Sequence, residues 1–330
     1  MFCEMTPSIG ISVRRLTRDR WMLGSSKVCE RVTTPIASNA ITSWQDGDGT
    51  FYLRERVDGD LLVPEDGLET GLVHEGVSSA AVWSIGVDAF CKVKAWREGM
   101  ELESKTIEFV KEKASEVPVP EVIHTWIDHS WNRTFLILRR VKGQTLDEEW
   151  PRLTPDQRME IANKISGYCC KLASISASRF ETATGHAVVE PFLGGIADAS
   201  HPSWIPRPIG PISSESLASY LSTLAPGSRL DVGDLFYFYR ADLGPTNIMA
   251  LEGTVTGILD WESAAYYLKF WIATKPRLSA GFHLQKDRTD RNAWSNMLGN
   301  VLEARGFLQN ITNTTAGNAR GTPSRQRSSY

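Results

Sequence analysis

The sequence predicts an α+β protein of two lobes, in which a β-rich N-terminal lobe precedes a mostly helical C-terminal lobe. Short apolar runs with turn residues between them are concentrated before residue 139, a pattern typical of a β-meander. Longer stretches with helical spacing and N-capping residues come after residue 143. A pair of short strands, over residues 247–251 and 254–259, interrupts this helical part.

Residues 1–70 alternate short apolar pieces with Gly, Asp and Ser, and only residues 44–54 have the pattern of a turn followed by a strand. We therefore expect an N-terminal extension that is partly ordered and packs on the β-rich lobe. Residues 71–141 should form that lobe with its linker, and residues 142–309 the helical lobe. Residues 310–330 have almost no apolar side chains to bury, so we expect a disordered tail.

The elements of the β-rich lobe are predicted from apolar spacing. Residues 81–85 and 89–94 are two predicted strands around a turn that contains Gly86. A helix is predicted over residues 101–113, where Ile107 and Val110 share a face with Glu103. The Val-Pro-Val-Pro run that ends at Pro120 stops this helix, because proline removes a backbone donor. Two further strands are predicted over residues 122–127 and 134–138.

In the helical lobe, Thr154 followed by Pro155 predicts a helix start, which continues to Leu172. Residues 191–213 are rich in Gly and Pro and are predicted to be a loop, and residues 214–224 a helix. After the strand that ends near residue 259, we expect helix for most of the chain up to residue 308.

Composition excludes several classes of protein. The 330 residues carry a net charge of −3 and no Lys/Arg run, which argues against a nucleic-acid partner. The sequence contains no basic amphipathic stretch and no long apolar run, which argues against a membrane partner. The 5 cysteines are odd in number and scattered, so we expect free thiols, a reducing compartment and a cytosolic location. The sequence has no pattern that predicts an oligomeric state.

Three polar residues carry the chemistry. Asp242 comes after an aromatic strand, Asn247 lies five residues later at the start of the next strand, and Asp260 ends the strand after that. A β-hairpin would bring Asn247 and Asp260 together. Hard oxygen ligands at a loop edge suit Mg²⁺, which completes its shell with phosphates and water. Asp242 beside them has the chemistry of a general base for an attacking hydroxyl.

The run Ala-Asp-Leu-Gly-Pro-Thr-Asn-Ile-Met that ends at Met249, with Gly-Ile-Leu-Asp-Trp-Glu ending at Glu262, resembles known catalytic and metal loops. They are those of the aminoglycoside phosphotransferase and choline kinase-like enzymes, most closely the phosphotransferase-family proteins of filamentous fungi. The resemblance implies a bilobal protein-kinase-like fold and an ATP-dependent O-phosphotransferase, with ATP and Mg²⁺ as cofactors and an unknown hydroxylated small molecule as acceptor. It makes Asp242 the catalytic base, Asn247 and Asp260 metal ligands, and Glu262 an auxiliary residue.

The same resemblance implies a strand lysine that contacts the ATP phosphates and a helix glutamate that orients it. Lys92 and Lys94 point to the same face of one predicted strand, so both qualify. The Phe-Cys-Lys-Val pattern favours Lys92. Glu103 is preferred over Glu101 and Glu108 as its partner, because apolar residues lie at the fourth and seventh positions after it.

Two further segments are expected to bind the nucleotide. Gly76, Ser78 and Ser79 precede the first strand of the pair, where a small residue and amide N–H groups suit a phosphate-covering turn. The linker after residue 138 should offer backbone groups from Arg139 to Val141 to the adenine.

Arg240 stands where the resembled family has a histidine, two residues before the catalytic Asp. Its guanidinium could donate to the backbone near Asp260, or it could pair with the carboxylate of Asp242 or Asp260. Pairing with Asp242 would lower the pKa of the base and make it a poorer proton acceptor. The alternative function is therefore a catalytically impaired pseudokinase that binds nucleotide or acts as a scaffold. Trp261 and Trp271 flank the metal loop and are candidates for an aromatic cage around a cationic substrate.

Overall fold

The computed structural model describes residues 7–33, 36–60, 63–76, 80–194, 207–224, 232–287 and 289–308. The chain divides into two compact units. The N-terminal unit comprises Met1–Ile107 and Val119–Val141, and the C-terminal unit comprises Glu108–Pro118 and Lys142–Tyr330. The division after residue 141 lies where the sequence pattern changes from strand-like to helical.

The first 55 residues contain a complete antiparallel sheet, which is more order than the sequence pattern predicts for this extension. Its five strands run in the order β1-β2-β3-β5-β4. The strands are β1 (Val13–Thr17), β2 (Arg20–Leu23), β3 (Lys27–Val32), β4 (Thr42–Asp46) and β5 (Gly49–Glu55).

A second antiparallel sheet of the N-terminal unit has the order β6-β7-β8-β10-β9. It agrees with the strands predicted between residues 81 and 138, and helix α1 (Glu103–Lys113) separates its third and fourth strands in the chain. The strands are β6 (Leu72–Gly76), β7 (Ala80–Ile85), β8 (Ala89–Ala95), β9 (Val122–Asp128) and β10 (Arg133–Arg139).

The two sheets share one apolar core, to which β7, β8 and β10 contribute every second residue. Trp83, Cys91 and Phe135 are fully buried there together with Phe51 of the first sheet. Because side chains alternate along a strand, Lys92, which pairs with Leu136 of β10 and Val82 of β7, points to the opposite face. The N-terminal sheet thus covers one face of the second sheet, and Lys92 belongs to the other.

The opposite face of the first sheet carries an ion-pair network. Arg54 donates from Nη1 and Nη2 to the two carboxylate oxygens of Asp60, at 2.9 and 2.7 Å. Glu30 accepts from Arg54, from Arg20 Nε at 3.0 Å and from the Tyr52 hydroxyl at 2.6 Å. The hydrogen bonds from Arg54 lower the pKa of Asp60 to about 2, against an opposing effect of burial.

This shift predicts an acid-sensitive contribution to stability. Since the folded pKa of Asp60 is depressed, its contribution is complete above the unfolded value of about 4 and is lost as the pH falls towards 2. Between these values unfolding should take up about one proton at this site. We expect Asp60→Asn to remove that part of the pH dependence, measured by urea unfolding between pH 2 and 5. An unchanged slope would contradict the assignment.

Among the described residues, the C-terminal unit contains five complete α-helices and several small sheets. Strands β11-β18-β19 and β12-β17-β20 form two three-stranded sheets, and β13 pairs with β16 and β14 with β15. The helices are α2 (Leu146–Glu149), α3 (Pro155–Ala173), α4 (Ser214–Leu224), α5 (Trp271–Leu278) and α6 (Ala293–Ala304). The strands are β11 (Gln144–Thr145), β12 (Ser176–Ala177), β13 (Arg179–Phe180), β14 (Val188–Val189), β15 (Pro208–Ile209), β16 (Ile212–Ser213), β17 (Phe236–Arg240), β18 (Ile248–Leu251), β19 (Thr254–Ile258) and β20 (Ala264–Tyr267).

The start predicted for α3 is confirmed. Thr154 caps the helix by accepting from the Gln157 N–H, the Gln157 side chain bonds back to the cap, and Pro155 occupies the first helical position. The continuous helix expected after residue 259 is wrong, because Ala264–Tyr267 forms β20 and pairs with β17. Aromatic contacts across these strands, such as Phe238 against Tyr266 at 5.2 Å, favour the strand.

The predicted tail over residues 310–330, and the middle of the predicted loop over residues 191–213, lie outside the described residues. Every helix in the described part of the chain is too short or too polar to cross a membrane.

Candidate active site

Asp242 lies in the loop after β17 and is half-buried. Its Oδ2 accepts a hydrogen bond from Asn247 Nδ2 at 3.0 Å, and its main-chain carbonyl accepts from the same nitrogen at 3.1 Å. Its Oδ1 receives no hydrogen bond from any described residue. One carboxylate oxygen is therefore held by the loop, while the other keeps its lone pairs for a proton.

The hairpin of β18 and β19 brings Asn247 beside Asp260, as the strand–turn–strand pattern predicts. Ile248 pairs with Ile258 across the hairpin, and the Leu259 N–H donates to the Asn247 carbonyl at 2.8 Å. Because Leu259 precedes Asp260 directly, this bond joins the loop of the base to the loop of the predicted metal ligand.

Asp260 has a left-handed backbone conformation, with φ 59° and ψ 66°. This region is unfavourable for residues other than glycine, although Asp tolerates it better than most. The Arg240 guanidinium is fully buried and donates from Nη2 to the carbonyls of Leu259 and Asp260, at 2.5 and 2.7 Å. Arg240 therefore holds the carbonyl groups of both peptide bonds that flank Asp260.

This geometry decides between the two roles considered for Arg240. No ion pair within 4.0 Å joins its guanidinium to Asp242 or Asp260 in the described part of the chain. Its Nε and Nη1 are buried and have no hydrogen-bond partner among the described residues. Arg240 thus bonds the backbone near the metal loop and leaves the carboxylate of the proposed base unpaired.

Substitution of Arg240 tests this positioning role. We expect Arg240→Lys, which keeps the charge but loses the planar fork, to lower Mg-ATP turnover about 10- to 100-fold, because residues that orient metal ligands have effects of this size. Arg240→His should not raise turnover above that of the wild type. The measurement is steady-state ADP release by both variants, and a large gain from Arg240→His would show instead that Arg240 inhibits the base.

The oxygen ligands near the hairpin fit Mg²⁺. Ligand atoms of Asp260 and Glu262 lie within 4.8 Å of one another. The amide nitrogen of Asn247 is used by Asp242, which leaves the amide oxygen as its remaining ligand atom. Neighbouring carboxylates repel, and a divalent cation relieves that repulsion. The set consists of carboxylate and amide oxygens, which suits a hard cation.

Within the N-terminal unit, Lys92 and Glu103 form an ion pair. Lys92 Nζ lies 2.7 Å from Glu103 Oε2, and the side chains are 14% and 9% exposed. This is the strand–helix pair that the resemblance implies. Lys94 lies two residues further along β8, near its end.

The structure describes part of the predicted nucleotide-binding segments. Gly76 ends β6 opposite Ala80, while Ser78 and Ser79 lie outside the described residues. The Arg139 N–H donates to the Glu121 carbonyl at 2.9 Å, and the next N–H, of Arg140, donates to the Asp88 carbonyl at 2.7 Å. These two N–H groups are therefore used by the main chain, and the binding of adenine by other backbone groups of residues 139–141 stays a prediction. The N–H of Val141 has no acceptor among the described residues.

Trp261 and Trp271, the two candidates for an aromatic cage, are both buried. Trp261 is fully buried and donates from Nε1 to the Ile258 carbonyl at 2.7 Å. Lys275 Nζ lies 4.5 Å from the centroid of the Phe192 ring and 5.8 Å from that of Trp271. The chain's own lysine therefore occupies the place that an external cation would take.

Sequence reasoning missed two supports of the loop that carries Asp242. Trp294 of α6 donates from Nε1 to the Leu243 carbonyl at 3.0 Å. Gly244 lies so close to the Gly281 carbonyl that a Cβ on Gly244 would come within 2.3 Å of it. For the second support the signal in the sequence is Gly244 and Gly281 themselves, and glycines are common in loops.

No family model matches the sequence, and no curated protein matches it. The solved structures that it matches include aminoglycoside phosphotransferases. The chain is 17% identical to the phosphotransferase APH(4)-Ia, over 71% of this chain and 77% of that one, with a TM-score of 0.43. The chain is 19% identical to a thermostable mutant of that enzyme with AMP-PNP and hygromycin B, over 71% of this chain and 77% of that one, with a TM-score of 0.45. It is 13% identical to APH(2")-IIa in its streptomycin–ATP complex, over 75% of this chain and 81% of that one, with a TM-score of 0.43.

These matched structures belong to the group that the sequence motifs resemble. The predicted α+β class is confirmed by the chain's own elements, which are two antiparallel sheets in the N-terminal unit and small sheets with helices in the C-terminal unit. The hygromycin B and streptomycin of those structures are ligands of those proteins.

Proposed function

We propose that the protein is an ATP-dependent O-phosphotransferase that transfers the γ-phosphoryl group of ATP to a hydroxyl of a small molecule. One observation carries the proposal. One carboxylate oxygen of Asp242 accepts no hydrogen bond from a described residue, and Asn247 holds the other. The hairpin in turn joins Asn247 to the segment that bears Asp260. A general base beside hard oxygen ligands is the arrangement that phosphoryl transfer needs.

In the proposed reaction, Asp242 Oδ1 accepts the proton of the acceptor hydroxyl. The hydroxyl oxygen forms a bond to the γ-phosphorus, the bond from that phosphorus to its bridging oxygen breaks, and ADP leaves with the electron pair. Asn247 holds the carboxylate through Oδ2. Asn247, Asp260 and Glu262 would hold Mg²⁺, which when bound neutralises charge on the phosphates.

Within the N-terminal unit, we propose that Lys92, oriented by Glu103, contacts the ATP phosphates. Catalysis would then rest on positioning and on stabilising charge rather than on a covalent intermediate. A cytosolic location is part of the proposal. Cys29, Cys91 and Cys169 are buried free thiols, and free thiols are typical of proteins in a reducing compartment.

The alternative function, a module that binds nucleotide without catalysis, was suggested by Arg240. The bonds of Arg240 to main-chain carbonyls favour the enzyme, because they leave the carboxylate of Asp242 unpaired by this cation. The acceptor is proposed by class only, as a small molecule with a free hydroxyl.

The test is Mg-ATP binding by calorimetry followed by ADP release across a panel of hydroxylated metabolites. We expect binding, and turnover that Asp242→Asn abolishes. Binding without such turnover would identify the non-catalytic module, and an absence of Mg-ATP binding would overturn the assignment of the site.

A further inference from the structure

The turn between β7 and β8, residues 86–88, lies against the end of β4 in the first sheet. Asp46 of β4 is 3% exposed, and its Oδ2 accepts from the N–H groups of Val87 and Asp88 at 3.0 Å each. Gly86 permits this approach, because its φ is 66° and a Cβ there would overlap Asp46 Oδ2. The first sheet therefore holds the turn by its amide groups.

The linker after β10 holds the carbonyl groups of the same turn. Arg140 Nε donates to the Val87 carbonyl at 2.7 Å, and the Arg140 N–H donates to the Asp88 carbonyl at 2.7 Å. Arg140 Nη2 also donates to Ser84 Oγ at 2.9 Å, and the guanidinium carbon lies 3.9 Å from the centroid of the Phe90 ring. Both the main chain and the side chain of Arg140 are thus bound to the β7–β8 hairpin.

One peptide group, between Val87 and Asp88, connects the two sets of contacts. Its N–H donates to Asp46 Oδ2, and its carbonyl accepts from Arg140 Nε. The carboxylate and the guanidinium polarise this peptide group in the same direction, so each hydrogen bond strengthens the other. Both bonds are charge-assisted, which is the stronger class of hydrogen bond in proteins. The position of Arg140 therefore depends on Asp46, which is distant from it in the sequence.

The neighbours of Asp46 in the chain add two contacts. The Gln45 carbonyl accepts from Arg139 Nη1 at 2.9 Å, so the first sheet also binds the linker directly. The Gly47 N–H donates to Asp88 Oδ2 at 3.3 Å. Three consecutive residues of the first sheet thus contact either the turn or the linker.

We propose that the first sheet positions the linker at residues 139–141 for the nucleotide, and that Asp46 is the positioning residue, acting through the Val87–Asp88 peptide group on Arg140. The role in nucleotide binding rests on the proposed function, whereas the positioning of the linker does not. A linker that samples several positions is competent to bind for part of the time, and the apparent affinity falls by that fraction. The first sheet therefore raises the affinity for Mg-ATP.

The first test is amide hydrogen exchange of the full chain without nucleotide, measured by mass spectrometry. We expect Asp46→Asn to speed exchange in the peptide that contains residues 139–141 about 10-fold, the factor that corresponds to the loss of one hydrogen bond to a charged group. Arg140 is exposed, and Arg140→Gln should in turn speed exchange at Val87 and Asp88, because coupling between two sites is reciprocal.

Asp60→Asn is the matched control for exchange. It makes the same chemical change at a carboxylate that Arg54 binds on the other face of the first sheet, so it should lower stability and leave exchange in the linker unchanged. Equal exchange of the linker in Asp46→Asn and Asp60→Asn would overturn the proposal. If Asp46→Asn does not fold, unchanged exchange at Val87 and Asp88 in Arg140→Gln would overturn it.

The second test is Mg-ATP binding by calorimetry. We expect Asp46→Asn and Arg140→Gln each to raise the dissociation constant about 3- to 10-fold, and the double variant to raise it no further, because both changes act on one peptide group. ADP release at saturating Mg-ATP should stay close to that of the wild type. Effects that multiply in the double variant would show that the two residues act independently, which contradicts the proposal.

The two tests separate this proposal from the proposed function. If the wild type binds Mg-ATP and Asp46→Asn binds it equally well, the proposed role of the first sheet in nucleotide binding is wrong while the proposed function stands. If the wild type binds no Mg-ATP, the proposed function fails, and the exchange measurements still decide whether Asp46 positions the linker.

Discussion

Asp242→Asn is expected to lower the rate of ADP formation from Mg-ATP on the order of 10²–10⁴-fold, the range that general base catalysis contributes. The amide has nearly the shape of the carboxylate but cannot accept the acceptor's proton. Asn247 still finds an oxygen on residue 242 for its hydrogen bond, so the loop should keep its structure. Steady-state ADP release measures the effect, and calorimetry should show Mg-ATP affinity close to that of the wild type.

Asp234→Asn is a matched control for that experiment. Asp234 is exposed and belongs to the same unit, so the same chemical change there should leave turnover unaltered. Asp242→Asn with turnover equal to this control would show that another group accepts the proton. A loss of Mg-ATP binding together with turnover would instead indicate that Asp242 contributes to nucleotide binding.

Lys275→Met is expected to lower the free energy of unfolding by about 3–5 kcal/mol, the cost of removing one partner from a buried ion pair. Lys275 Nζ lies 2.6 Å from both carboxylate oxygens of Glu190, and the side chains are 7% and 1% exposed. Without the ammonium group, the hydrogen bonds that Glu190 would keep from described residues come from the Phe192 N–H and the Trp271 indole. Its charge would then be buried without a cation.

Urea unfolding measures this loss, and Lys171→Met is the matched control. Lys171 lies 2.8 Å from Glu116, but these side chains are 47% and 60% exposed, so the same change should cost less than about 1 kcal/mol. Adding Glu190→Gln to Lys275→Met should recover part of the stability, because it removes the unpaired charge. Equal losses of unfolding free energy from Lys275→Met and Lys171→Met would show that burial does not set the cost of breaking these ion pairs.

Most elements between residues 80 and 139 were predictable, because strand alternation, helical apolar spacing and a helix stop at proline are local patterns. The strand order β6-β7-β8-β10-β9 was not, since pairing depends on distant contacts. The first sheet was underestimated for a related reason. Arg54 and Glu30 interrupt its apolar pattern, and only in the folded sheet does their ion pair with Asp60 and Arg20 become visible.

The strand β20 illustrates the limit of periodicity. Residues 264–267 are a short run of Ala and Tyr, and such a run has no period that separates a helix from a buried strand. Pairing with β17, and rings such as Phe180 and Tyr267 in contact at 5.7 Å, decided the outcome. These partners lie more than 20 residues away in the chain, beyond the reach of a local pattern.

The sequence by itself identified the candidate residues of the site: Asp242, Asn247 and Asp260 have the residue types and spacing of a base with hard oxygen ligands. Only the tertiary structure decided the direction of the Arg240 guanidinium and the approach of Gly281 to Gly244. The physical reason is range. The neighbours of Asn247 follow from the local spacing of a hairpin. The direction of the buried Arg240 side chain depends instead on carbonyl groups that are distant in the sequence and accept its hydrogen bonds.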